Sequence, residues 1–170
     1  MPIDGCTHKW PHLSSVVLPD YMAKMRAAIA TPIAMRTFAE EKKGAGHCAK
    51  HLGLNGDFSG CYVLIEHGKP IYAGISRGVV KRLIQHVRGD DENSASLAYR
   101  MAAHKNPHKL RRKVAMAKPA FRAAFESKRA FLCSLDVAFI EIDCPVELYA
   151  FELYCSLELD TGQWNTFRTH

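Results

Sequence analysis

The sequence predicts a mixed α/β (α+β) domain, a small mixed or antiparallel β-sheet with helices packed on it. Three observations carry that expectation. Two short β-type runs, CYVLIE at 61–66 and PIYAGIS at 70–76, flank a tight turn and read as a hairpin. Patterns with apolar residues three and four apart stand on both sides of the hairpin. A nearly continuous apolar run, FLCSLDVAFIEID, is followed at once by the helical pattern PVELYAFELYCSLEL. The chain has 170 residues, 48% of them hydrophobic, enough to bury about two thirds of its unfolded surface without staples.

The elements follow in order. Residues 1–15 are rich in Pro, His and Ser and read as irregular. LPDYMAKMRAAIATP reads as a helix with Asp20 near its start and Pro32 limiting it. IAMRTFAEEKKG reads as a second helix closed by Gly44. Residues 44–59 are punctuated by glycine and read as connective, with room for one short helical turn. A boundary is placed at residue 58, between a mainly helical N-terminal extension (1–58) and the domain proper (59–170). In the hairpin, a Glu66-His67-Gly68 loop would set Tyr62 opposite Tyr72 on one face. A two-residue His-Gly loop would shift the pairing by one. Pro70 marks an edge or a bulge. RGVVKRLIQHVRG reads as a helix with Val79, Val80, Leu83, Ile84 and Val87 as its apolar stripe. Residues 94–130 read as two or three helices broken near Asn106-Pro107 and Pro119. The apolar run is then a strand, and the last helix starts at Pro145 with Gly162 beyond its end.

Charge narrows the function classes. The net charge is +6, and it is concentrated. Between Ser94 and Ala130 stand Arg100, Lys105, Lys109, Arg111, Arg112, Lys113, Lys118, Arg122, Lys128 and Arg129 against Glu126 alone. A basic surface of this density suits a phosphate backbone. Six cysteines with no C-x-x-C pair read as buried thiols of a cytoplasmic protein. The opening residues lack a signal-peptide core, and no apolar stretch is long enough to span a bilayer. Cys6, His8 and His12 with His47, Cys48 and His51 match no standard zinc frame. Gly-rich GLNG and GAG lack the Lys-Ser/Thr of a phosphate loop.

The residues suited to chemistry cluster around the hairpin. Two tyrosines, each beside a glycine, precede a helix on which Arg82 and His86 stand four apart on one face, flanking the apolar stripe. A guanidinium fork holds phosphate oxygens, and an imidazole donates or shuttles a proton. On spacing alone a solvated pair is the better reading, and the tyrosine hairpin directly before it shifts the balance to function. On the last helix, Leu148, Glu152, Cys155 and Leu159 share a face, so Glu152 is a carboxylate in an apolar stripe, paired or metal-bound. Glu147 and Glu158 lie on another face with easier access to water. A structural ion pair would explain Glu152 as well.

These residues resemble the GIY-YIG nuclease family, in its restriction-type version with His four after Arg. Gly60-Cys61-Tyr62 stands for the first triplet and Tyr72-Ala73-Gly74 for the second. Cys61 and Ala73 replace the isoleucines of the name, and the helical insert is longer than in minimal versions. The resemblance covers about residues 59–167 and places Tyr62, Tyr72, Arg82, His86, Glu152 and Asn165 in the family's order. It implies a divalent-metal-dependent endonuclease that hydrolyses DNA, with RNA not set aside. Glu152 would hold one Mg²⁺ or Mn²⁺, Arg82 would grip a non-bridging oxygen, and Tyr62 or Tyr72 would orient or deprotonate the attacking water. His86 would assist, Asn165 would position the last segment, and Gly74 would let backbone approach the site. A single active centre cuts one strand at a time, so double-strand cleavage needs a homodimer or two visits. The competing reading is a non-catalytic nucleic-acid-binding module on the same fold.

Overall fold

The computed structural model describes residues 2–167. The fold is mixed α+β, with a four-stranded sheet in the order β1-β4-β2-β3. The helical elements are α1 (Trp10–His12), α2 (Leu18–Ala30), α3 (Ala45–His51), α4 (Val79–Arg88), α5 (Ser96–Lys105), α6 (Arg112–Met116), α7 (Pro119–Cys133) and α8 (Pro145–Glu158). The strands are β1 (Ile33–Ala34), β2 (Gly60–Glu66), β3 (Lys69–Ser76) and β4 (Asp136–Glu141). No helix of the described residues is long and apolar enough to cross a membrane.

Compactness divides the chain into two units that interleave along the sequence, a different criterion from the composition boundary at residue 58. The first consists of Met1–Ile33, Asp57–Val79 and Asp136–His170. Its centre is β2, which pairs antiparallel with β3 on one side and β4 on the other. Residues alternate across a strand, and both faces of β2 are buried. Cys61, Val63 and Ile65 face a core completed by Ala73, Ala138 and Ile140 from the neighbouring strands. Leu18, Met22 and Met25 of α2 and Leu148, Phe151 and Cys155 of α8 close it. Tyr62 and Leu64 point to the opposite face. Gly60 is obligatory for this pairing, because a Cβ there would meet the Ile140 backbone carbonyl. On its outer side α8 exposes Tyr149, Leu153 and Leu157.

Of the two hairpin loops the sequence leaves open, the structure has the shorter. Glu66 pairs with Lys69, so the loop is the two-residue His67-Gly68, with φ of 48° and 80°. Two successive left-handed residues make the turn whose twist matches the strands. An irregularity follows at once, since Leu64 pairs with Tyr72 while Ile65 pairs with Pro70. The extra residue, Ile71, sits beside the proline that cannot join the ladder. Tyr62 therefore pairs with Gly74 rather than with Tyr72.

Other expectations are corrected. The first residues are not all irregular. Helix begins at Trp10 and runs through a widened turn at Leu13–Val17 into α2. Pro19 lacks the N–H that would close a regular turn there. The helix expected at 33–44 is instead β1 and a 3₁₀ turn at Met35–Phe38. Pro32 and β-branched Ile33 favour extended backbone, and buried Met35 and Phe38, three apart, suit a 3₁₀ turn as well as a helix. FLC at 131–133 ends α7, and the strand begins only at Asp136. Beyond α8 the left-handed residue is Asp160 (φ 52°), not Gly162.

The second unit consists of Ala34–Gly56 and Val80–Leu135. In it α7 packs against α5, α6 and the Met35–Phe38 turn, and the Met35 N–H donates to the Leu135 carbonyl. Arg88 fastens the 40–43 loop by donating to the Glu40 and Lys43 carbonyls at 2.9 and 2.8 Å. The helices of the basic insert fall at the expected places, broken at Asn106-Pro107 and at Pro119.

Candidate active site

In the first unit, Tyr62 and Tyr72 come together although they are not directly paired. The two-residue offset leaves them diagonal neighbours on the face away from the α2–α8 core, with ring centroids 6.1 Å apart. Gly74 makes this possible. A Cβ on it would lie 2.6 Å from Cζ and Oη of Tyr62 and 2.9 Å from Cε1 of Tyr72. The expected close approach at Gly74 is thus between its own backbone and a phenol. Tyr62 is 1% exposed, while Tyr72 is half-buried.

Asn165 joins the same strand. Its Nδ2 donates to the Ala73 carbonyl at 2.7 Å and its Oδ1 accepts from the Ala73 N–H at 2.9 Å. A carboxamide thus makes both ladder bonds of the residue between Tyr72 and Gly74. This ties the C-terminal segment to the tyrosine strand.

Glu152 rises from α8, which packs against β2 and β3 on the core face. It is half-buried, not the most enclosed carboxylate of that helix. Its negative charge, after the hydrogen bond with Cys155 and burial, helps push the Cys61 thiol well above its usual range. Glu147, expected to reach solvent, is 7% exposed. Tyr21 Oη donates to Glu147 Oε2 at 2.7 Å, and His8 Nε2 lies 3.6 Å from Oε1. The reason is that α8 is covered on two sides, by the sheet and by α2. Burial and the Glu147 carboxylate hold the Tyr21 phenol well above its ordinary range.

In the second unit, Arg82 is held by neutral acceptors. Nη1 donates to Ser94 O at 3.0 Å and Gln85 Oε1 at 3.3 Å, and Nη2 to Ser96 Oγ at 2.8 Å. Asp91 shapes the loop that presents Ser94, accepting from the Asn93 and Ser94 N–H groups. All three of these acceptors are uncharged.

His86, expected to flank the apolar stripe, is enclosed, which excludes the solvated alternative for it. It is fully buried. Burial, then the charges of Arg82 and Arg100, lower its pKa to about 3. That shift favours the neutral ring at physiological pH. Folded His86 stays neutral while the unfolded residue takes up a proton below about 6.5, so acid favours unfolding. Its contribution is complete above that pH and is lost as pH falls toward about 3, at up to about 1.4 kcal/mol per pH unit. Denaturant unfolding across this window should show that slope in the wild type and a reduced one in His86→Gln.

The basic insert separates into two groups. Lys105, Lys109, Arg111, Arg112, Lys113 and Lys118 are exposed. Arg122, expected among the phosphate contacts, is instead engaged by Glu126 Oε1 at 2.9 Å and by the Asp90 carbonyl at 2.7 Å. Arg129 donates to the Gly89 carbonyl at 2.9 Å. Arg100 is half-buried on α5. Phe121 and Phe125 are core, as expected. Buried Tyr99 bonds His108 Nε2 at 3.2 Å and carries the Arg112 guanidinium 5.2 Å from its ring centroid.

Two features are not foreshadowed by the sequence. A cavity of about 270 Å³ is lined by Ser59, Ser76, Arg77, Asp143 and Tyr149 and contains none of the motif residues. A second cluster joins Cys6, Cys144 and Glu147, whose ligand atoms all lie within 4.8 Å of one another. The available signals were Cys144 and Glu147 three apart at a helix start and the Asp4-Gly5 turn before Cys6. They lie well over a hundred residues apart, and sequence spacing does not join them. Comparison with family models, with curated proteins and with solved structures finds no match to the chain.

Proposed function

We propose that this protein is a divalent-metal-dependent endonuclease of the GIY-YIG type that hydrolyses DNA phosphodiester bonds. The observation that carries the reading is the tyrosine strand. Two phenols meet on one face beside a glycine that makes room for them, and Asn165 grips the residue between. These are the residues that the family resemblance marks.

Glu152 would hold Mg²⁺ or Mn²⁺. It lies outside the one group of three or more His, Cys, Asp or Glu donors found among the described residues. One carboxylate ligand is enough for Mg²⁺, which keeps several waters and takes its other ligands from substrate phosphate. When bound, the ion stabilises charge on the leaving oxygen. The phenols of Tyr62 and Tyr72 hold the water whose oxygen attacks phosphorus as the bond to the leaving oxygen breaks. Arg82 enters on the resemblance, as the group that grips a non-bridging oxygen. His86 contributes a hydrogen bond from a neutral ring. The exposed cations between Lys105 and Lys118 bind the DNA backbone without reading its sequence.

A second reading, a nucleic-acid-binding module without cleavage, is favoured by the burial of Tyr62 and His86 and by the core-face placement of α8. Plasmid nicking with Mg²⁺, and its loss with chelator, decides between the two. Sedimentation of the same preparation tests whether a homodimer forms. Replacing Arg111, Arg112 and Lys113 with glutamine should weaken binding to every sequence tested. Each phosphate that the variant no longer neutralises should flatten the salt dependence by about one unit of slope. An unchanged slope would move the DNA to another surface.

A further inference from the structure

We infer that Cys6, Cys144, Glu147 and His8 form a structural Zn²⁺ site that fastens the N-terminal segment to the start of α8. The site is assembled from two short pieces of chain. Asp4 and Gly5, with φ of 45° and 78°, make a tight turn in which the Cys6 N–H donates to the Ile3 carbonyl at 2.8 Å. That turn presents Cys6, and His8 two residues on. The other piece is the first turn of α8. Cys144 stands at its N-cap and Glu147 three residues later, with Pro145 between them.

Three donors, from Cys6, Cys144 and Glu147, lie within 4.8 Å of one another. Zn–S bonds of about 2.3 Å and Zn–O bonds of about 2.1 Å in a tetrahedron separate donors by roughly 3.4–3.8 Å. A closure of no more than about 1.4 Å therefore completes three ligands. His8 Nε2, 3.6 Å from Glu147 Oε1 and outside that group of three, would turn inward to supply the fourth. Its ring packs against His12, centroids 4.8 Å apart.

The chemistry selects the metal. Two thiolates, an imidazole and one carboxylate are a zinc set, whereas Mg²⁺ and Ca²⁺ require oxygen ligands. With Zn²⁺ bound, two thiolates and one carboxylate leave a net charge of −1, and the positive end of the fourteen-residue α8 favours that sign. Glu147 is already held from outside by the Tyr21 hydroxyl, the kind of supporting bond that orients a ligating carboxylate. An open groove of about 590 Å³ lined by Cys6, His8, Trp10 and Val146 gives the ion an entry path.

The test uses the full chain, fully reduced and freed of metal, titrated with Co²⁺ and then Zn²⁺. One Co²⁺ per chain should bind, with a thiolate charge-transfer band and the intense visible absorption of tetrahedral cobalt, and Zn²⁺ should abolish both. Cys6→Ser and Cys144→Ser should each lose most of the charge-transfer band, and Cys133→Ser should keep it. Since a ligand variant can fail to fold, alkylation of the wild type provides a second measurement. Zn²⁺ should protect Cys6 and Cys144 from iodoacetamide, mapped by mass spectrometry, and leave Cys133 as reactive as before. Absence of the band, its persistence in both variants, or a Cys6–Cys144 disulfide forming in the presence of saturating Zn²⁺ would each overturn the assignment. None of these readouts depends on nuclease activity.

Discussion

Glu152→Gln is expected to reduce Mg²⁺-dependent cleavage by at least about a thousandfold, the scale of losing several kcal/mol of charge stabilisation at the leaving oxygen. The amide keeps the size of the side chain but is a far weaker metal ligand. Affinity for DNA should be largely unchanged, because removing one negative charge does not weaken attraction to a polyanion. Glu158→Gln is the matched control, since Glu158 makes an exposed pair with Arg26 at 3.1 Å, worth little. Glu147→Gln belongs to neither class. It should lower thermal stability, because the Tyr21 hydroxyl and His8 both meet that buried carboxylate. Single-turnover cleavage and filter binding on the three variants give the comparison. A Glu152 variant that cuts at the wild-type rate would remove the metal from α8.

The second large effect is expected at Gly74. Tyr62→Phe should slow the chemical step by about a hundredfold, the lower end for loss of a general acid or base. Tyr72→Phe should cost less. Gly74→Ala should match or exceed the Tyr62 loss without touching either hydroxyl. Its Cβ would stand 2.6 Å from Tyr62 Oη, closer than packed atoms approach, so the phenol must move. Circular dichroism and thermal unfolding, read beside the cleavage rate, separate a displaced ring from a lost fold. Wild-type activity in folded Gly74→Ala would show that the position of the Tyr62 hydroxyl does not matter to the chemistry.

β2, β3, the body of β4, α4, the broken insert and α8 were legible because each carries its own period and its own stop. The hairpin register was not, because it rests on His67 accepting a left-handed backbone and on a bulge beside Pro70, both settled by the neighbouring strand. The region after Pro32 misled because Met35 and Phe38 satisfy two periodicities at once. Glu147 and Glu152 exchanged places for a different reason. A helical stripe tells which residues share a face but not how many faces are covered, and α8 is covered on two. His86 failed the same way, since nothing in the helix that carries it announces its complete burial. The Asn165 pairing with Ala73 was anticipated only as a place in an order of residues, not as a pair of backbone hydrogen bonds.

That pairing has a consequence for how the molecule behaves among its own kind. β3 is an outermost strand of the sheet, and a bare outer strand is a template on which another chain can add itself. The Ala73 N–H and carbonyl are the groups such an intruder would use, and both are already taken by one carboxamide. The tail therefore acts as a guard on the open side of the sheet. Because the guarded residue lies between Tyr72 and Gly74, the device that keeps strangers from docking there also holds that stretch of strand in shape.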